Sequence, residues 1–438
     1  MELVRRFLDF LDRSPTPYHA VENAARALHA AGFVELQEGS APFPLPPGHR
    51  GYVRRSGTLI AFRMGSAPME EAGFRVVSAH TDSPNLRIKP QPITRTQGYV
   101  RLGVEVYGGV ILATWTDRDL GLAGQVFVRG ASDGAPARRA LVDIRRPLCR
   151  IPNLAIHLNR QVNEEGLKLN AQTQLQAVLT LDPTGSKAGD KSDDPLRALL
   201  AAEIGCGAAD ILSWDLMLFD LTTPTIGGLN DEFLFSARLD NLGSSHAALE
   251  AMLATGPGAA TAVVALHDHE EIGSHTARGA SGRLLEGVLT RLLRDSEADA
   301  ALPRRGGLER AVAHSWHLSA DMAHAVHPAW SDKHDPDHMP RLNHGPVIKQ
   351  NASQRYGTEG ETSAHALQLC GDDLPYQWFV NRSDLACGST VGPLVAAQLA
   401  LRTVDVGNPM LSMHSAREMC GTHDQDPMVR LMTRFLER

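Results

Sequence analysis

Glu270 and Glu271 stand side by side in Val263 to His275, VVALHDHEEIGSH, the stretch of the chain with the clearest chemical potential. Val263, Val264, Ala265 and Leu266 form a continuous apolar run with β-branched residues, which suits a strand buried on both faces. The run delivers His267, Asp268, His269, Glu270 and Glu271, and polar groups at the carboxyl end of such a strand lie where open α/β sheets bind ligands. In extended backbone the two glutamates point to opposite faces. One carboxylate is then free to ligate a metal while the other reaches a water, the division of labour that metal-assisted hydrolysis needs. A solvated acidic pair is the plain alternative, and the buried-strand context weighs against it.

Four more stretches follow the same pattern. FRVVSA, Phe74 to Ala79, ends in His80-Thr81-Asp82-Ser83-Pro84. In extended backbone His80 and Asp82 share a face, so the Asp82 carboxylate is placed to accept the imidazole proton and fix which ring nitrogen meets a metal. A strand beginning at Glu232 leads through Asp240 into a helix, SSHAALEAML, expected to be capped near Ser244. His314 to Ala320 reads as a strand delivering Asp321, and Met410 to Met413 as one delivering His414 before a helix. Taken singly, each residue has an ordinary explanation as a polar turn or a capping Asp. Taken together, His80, Asp240, Glu271, Asp321 and His414 suit zinc, cobalt or manganese. Two ions share such a set when one carboxylate bridges them at roughly 3.5 to 4 Å.

The elements that must position these groups are legible in outline. Leu3, Phe7, Phe10 and Leu11 recur at helical spacing, and a second helix follows with Thr16 as cap and Pro17 in its first turn. Strands are expected near Thr58 to Phe62 and Phe74 to Ala79. From about Pro90 to Pro224 the texture changes: GYVRLGVEVYGGVILATW and GLAGQVFVRG alternate apolar and polar residues, as antiparallel strands of a sheet or small barrel do. The expectation is an α/β domain made of residues 1–90 and 226–438, interrupted by a β-rich insertion, 91–225. Pro183 to Pro195 reads as flexible, and Pro328 to Gly345, rich in His, as a solvated loop.

With 438 residues, two domains are the default. A net charge of −7 gives no basic footprint, which argues against nucleic acid as the main partner. Five scattered cysteines without C-x-x-C indicate neither a disulfide framework nor a thiolate zinc site, and reducing cytoplasm is the expected compartment. No apolar run approaches the roughly 20 residues of a membrane span. MELVRRFLDFLDR lacks the pattern of a secretory leader, so Met1 is expected to begin the mature chain.

The order of HTDSP, RLDN, DHEEIGS, SADMAHAVHP, GPVIK, QRY, CGSTVGP and MHSARE closely resembles the aspartyl aminopeptidases, a family of dinuclear zinc exopeptidases. The likeness runs from SPTPYHA near the N-terminus to the end. It implies a mixed-sheet α/β catalytic domain whose β-rich insertion serves dimerisation, in a large homo-oligomer, typically a dodecamer. It further implies that Asp240 bridges two zinc ions, with His80 and Asp321 on one, Glu271 and His414 on the other, and Glu270 as general base. His157, in IPNLAIHLNR, resembles the histidine that a neighbouring subunit supplies to the tetrahedral intermediate. The substrate's α-amine would bind near the second ion, which confines cleavage to the first residue.

Lys349 and Tyr356, in GPVIKQNASQRY, match positions lining the pocket for the substrate side chain. An ammonium drawn partly out of water selects a carboxylate, and leaving it unpaired costs roughly 3 to 5 kcal/mol. Ser383, where Asn is usual, and Gly357, where Ala is common, depart from the family pattern without touching a ligand. The expected activity is removal of N-terminal Asp or Glu from peptides. The alternatives are a dinuclear aminopeptidase of broad or neutral specificity and a non-catalytic assembly or cargo-binding protein.

Overall fold

The computed structural model describes residues 1–40, 44–132, 134–182, 194–296 and 306–438. Two compact units emerge: Met1–Asp82 with Pro224–Met413 and Glu418–Arg438, and Ser83–Thr223 with His414–Arg417.

In the first unit three strands expected from the sequence become parallel neighbours at the centre of a nine-stranded mixed sheet. Phe74–His80 pairs in parallel with Thr261–His267 on one side and Trp316–Ala320 on the other. Arg402–Gly407 continues the parallel set, and antiparallel strands, among them Thr58–Arg63 and Val347–Gln350, extend it outward. Both sheet faces are covered, which is why Thr261–His267 reads as a continuous hydrophobic run and not as an alternating one. On one face Val77, Val264, Leu318 and Val404 pack against the helices Glu2–Asp12, Leu239–Ala254 and Gln425–Glu437. On the other, Val76 and Val263 meet Leu285 and Leu289 of Leu284–Ser296 and Val395 of Val391–Leu399. A five-stranded sheet, which includes Phe233–Ser236, Glu418–Gly421 and Pro409–Leu411, completes this unit.

The N-terminal helices fall where their sequence places them. Glu2–Asp12 buries Val4, Phe7, Phe10 and Leu11. Pro17–Ala30 starts from Thr16 at the N-cap, but the Thr16 hydroxyl meets His19 Nδ1 at 2.8 Å and does not cap the backbone.

The second unit is built on a six-stranded sheet whose pairings are all antiparallel. Strand Asn85–Thr96 already belongs to it, ahead of the change of texture near Pro90. Leu86, Leu122, Val126, Val142 and Leu218 form its core, closed by Leu196 and Leu200 of the helix Pro195–Ile204. Asp194 caps that helix by accepting the Leu196 and Arg197 N–H groups, and Gly205 ends it in the left-handed region. The rest of Pro183 to Pro195 lies outside the described residues. Among the described residues no helix is long and apolar enough to cross a membrane.

Candidate metal centre

Parallel pairing brings the carboxyl ends of three strands to one edge of the large sheet. His80 stands in register with His267, and Ser319 with Ser78, so the residues just beyond these ends converge. His80 Nε2 faces Asp240 Oδ1 at 3.4 Å, Asp321 Oδ1 at 3.5 Å and Glu270 Oε2 at 3.8 Å. Its imidazole is 1% exposed. Two sets of three ligand atoms arise around it, His80 with Asp240 and Glu271, and His80 with Glu270 and Asp321, each within 4.8 Å.

One ring nitrogen cannot hydrogen-bond three carboxylates at once. Ligands held roughly 2.1 Å from a tetrahedral ion stand about 3.4 Å from one another, and the spacings from His80 to Asp240 and Asp321 are compatible with such an arrangement. The donor chemistry, one imidazole among carboxylates, fits zinc.

The charge balance agrees. Burial alone would lower the His80 pKa, yet Glu270, Asp240, Asp321 and Asp82 hold it well above the ordinary imidazole range. Burial pushes the Glu270 carboxyl well up, and Asp321, Glu271 and Asp82 add repulsion that His80 only partly offsets. So many carboxylates around one imidazole attract positive charge strongly.

Local backbone departs from the sequence reading at the glutamate pair. Glu270–Ile272 forms a 3-10 turn entered by His269 at φ 66 and left by Gly273 at φ 95. The two side chains are therefore spread by the turn and not by the pleat of a strand. Asp82 secures this turn from just beyond the strand Phe74–His80: Oδ1 accepts the Glu270 N–H and Oδ2 the Glu271 N–H, both at 3.1 Å. The role expected of the Asp82 carboxylate passes largely to its own carbonyl oxygen, which lies 3.0 Å from His80 Nδ1, against 3.4 Å for Oδ1.

The helix Leu239–Ala254 ties the other candidate ligands down. Its cap is not Ser244, which is buried within it; Asp240 and Asn241 depart from helical angles at its start. Asn241 Nδ2 donates to the Ala320 carbonyl at 2.9 Å, just before Asp321, and Ser245 Oγ donates to the His80 carbonyl at 2.7 Å. Glu418 Oε2 accepts the Asp240 N–H at 3.2 Å. Sequence reasoning passed over Asn241, Ser245 and Glu418. Asn241 and Glu418 fall inside the motifs RLDN and MHSARE, the only signal available.

Lys349 is 2% exposed, and its ammonium is not left unpaired. Nζ donates to the Asp321 carbonyl at 2.7 Å and the Met322 carbonyl at 3.3 Å, and lies 5.1 Å from the centre of the Tyr356 ring. Tyr356 is buried, and burial drives its phenol pKa well up.

The first unit thus brings together His80, Asp82, Asp240, Glu270, Glu271 and Asp321. His414 belongs to the second unit, where at φ 68 its Nδ1 lies 3.0 Å from the Gly109 carbonyl oxygen. The strand Glu418–Gly421, not a helix, comes next. His157, also in the second unit, sits on an exposed 3-10 turn, Ile156–Leu158. The His-rich loop Pro328 to Gly345 is mostly exposed or half-buried.

Residues 10–436 match the family model described as aminopeptidase I zinc metalloprotease, M18. The chain belongs to the M18 family. An M18 chain is a zinc-dependent aminopeptidase, which makes this protein a hydrolase. It is 46% identical over 440 residues to a probable M18 family aminopeptidase 2 of Ectopseudomonas mendocina, covering 99% of this chain and 98% of that one. The fold is similar to Ape4 in its complex with Nbr1, with TM-score 0.93 and 39% identity over 99% of this chain and 85% of that one. It is also similar to mApe1 of S. cerevisiae, solved as a dodecamer, with TM-score 0.82 and 29% identity over 99% and 96% of the two chains.

Proposed function

We propose that this M18 aminopeptidase removes acidic residues from peptide N-termini at a dinuclear centre with Glu270 as general base. The convergence of Asp240, Asp321 and Glu270 on His80 Nε2 carries this reading. His80, Asp240 and Asp321 would hold one zinc and Glu271 the other, with Asp240 shared, and the family resemblance adds His414 to the second. Zinc, when bound, supplies a Lewis acid that lowers the pKa of water and polarises a carbonyl; cobalt or manganese would serve the same donors.

The chain's own groups do the rest. Glu270 takes the proton of the attacking water on its carboxylate and returns it to the leaving amine. Asp82 keeps Glu270 and Glu271 in place through their backbone N–H groups. With two N–H bonds given to carbonyls, Lys349 retains one for the substrate carboxylate, beside Tyr356.

The second unit, residues 91–225 in the sequence reading, would serve dimerisation between the two catalytic segments. Leu154, Ile156 and Leu158, all exposed around His157, support a segment that docks on another copy and presents His157 there. Assembly as a dodecamer built from dimers is supported by the dodecameric relative, and a cytoplasmic setting by five free cysteines.

The engagement of Lys349 with two carbonyls favours one competing reading, broad or neutral specificity. Assays on Asp-, Glu-, Ala- and Leu-anilides, with zinc removed and restored, test both. Acidic specificity requires Asp and Glu to lead the series, and comparable rates on Leu would give the second reading. Activity indifferent to zinc removal would overturn the metal assignment.

A further inference from the structure

We infer that Glu418 is a positioning residue that sets zinc affinity through the main chain of Asp240. This rests on the proposed role of Asp240 as a zinc ligand. Glu418 opens the strand Glu418–Gly421, where it pairs in register with Ser236, and it is 2% exposed. From there Oε2 accepts the Asp240 N–H at 3.2 Å.

That N–H has a particular need. It lies in the first turn of Leu239–Ala254, where N–H groups have no acceptor within the helix. Asp240 at φ −83 and ψ 106, followed by Asn241 at φ −123 and ψ 30, breaks the helical path where the ligand must leave it. A buried donor left unmatched here would cost stability and free the backbone that aims the carboxylate. Glu418 fixes Asp240 from one side while Asn241, bonded to the Ala320 carbonyl, fixes the same turn from the other.

A carboxylate also suits the positive end of a helix. Its charge lies close to another carboxylate, a costly arrangement that bound cations relieve. Partners standing behind metal ligands typically change metal affinity by about 10 to 100-fold when removed.

The test compares Glu418→Gln, which keeps an acceptor oxygen at the same reach, with Glu418→Asp, which keeps the charge but withdraws the oxygen by one methylene. Zinc affinity is read by competition with a chromophoric chelator, and ligand geometry by the visible spectrum of the cobalt-substituted full-length protein. Glu418→Asp should weaken zinc by about 10-fold or more and shift the cobalt bands, while Glu418→Gln stays near wild type in both. The reverse order would show that charge and not the hydrogen bond matters, and would overturn the inference. So would wild-type affinity in both variants, equal losses in both, or a failure of Glu418→Gln to fold. Asp240→Asn in the same titration checks the underlying assignment: undiminished zinc binding there would remove Asp240 as a ligand, a result distinct from any Glu418 outcome.

Discussion

Lys349 Nζ donates to the carbonyl oxygen of Asp321 at 2.7 Å, so the residue proposed to read the substrate side chain also braces a residue proposed to hold zinc. Lys349→Met removes both functions and leaves buried carbonyls without their donor, each worth about 1 to 3 kcal/mol. On an aspartyl anilide kcat/KM should fall by about 100-fold or more, and on an alanyl anilide by about 10-fold. Equal losses would leave Lys349 as a brace alone.

Glu270→Gln separates proton transfer from metal binding. The variant keeps its size in a buried position and loses basicity, so kcat should drop by about 100 to 10,000-fold while zinc content measured by atomic emission stays at the wild-type value. Zinc lost in parallel with activity would make Glu270 a ligand and not a base.

Asp82→Ala frees two half-buried N–H groups at the turn carrying Glu270 and Glu271. The expected result is a melting temperature lowered by several degrees, from a loss on the order of 2 to 4 kcal/mol, together with easier release of zinc to chelators. Unaltered zinc retention would show that the turn holds its shape without the clamp.

His317 is wholly buried on Trp316–Ala320, with Nδ1 at 3.0 Å from Thr403 Oγ1. Burial first, then the nearby His267, lowers its pKa to about 3. Below pH of about 6.5 the unfolded imidazole takes up a proton that the folded one refuses. Its contribution is therefore complete above that pH and is lost as pH falls toward 3, by about 1.4 kcal/mol per pH unit. Between pH 7 and pH 5, urea unfolding of the wild type should lose about 2 kcal/mol more than that of His317→Gln. An identical decline in both would mean that the folded protein admits the proton.

The central strands were legible, and with them the convergence of three candidate ligands: His80 closes Phe74–His80, Asp321 follows Trp316–Ala320, and Asp240 lies past Phe233–Ser236 at the entry to a helix. The 3-10 turn at Glu270 was hidden, since positive φ at His269 leaves no mark in the sequence. The true partners of Asp82 and Lys349 were hidden too, because main-chain N–H and carbonyl groups look the same at every position. What encloses His80 was readable from side-chain types; what steadies it depends on backbone paths that only the fold reveals.

The helix Leu239–Ala254 contributes Asp240 and, through Asn241 and Ser245, grips the main chain beside Asp321 and at His80. Three candidate ligands from distant parts of the sequence are thereby tied to one element. Substitutions in the layer behind the helix therefore reach the site through these two bonds: a shift that lengthens either one moves the main chain at His80 or beside Asp321. The packing behind the helix is thereby coupled to the spacing of the site.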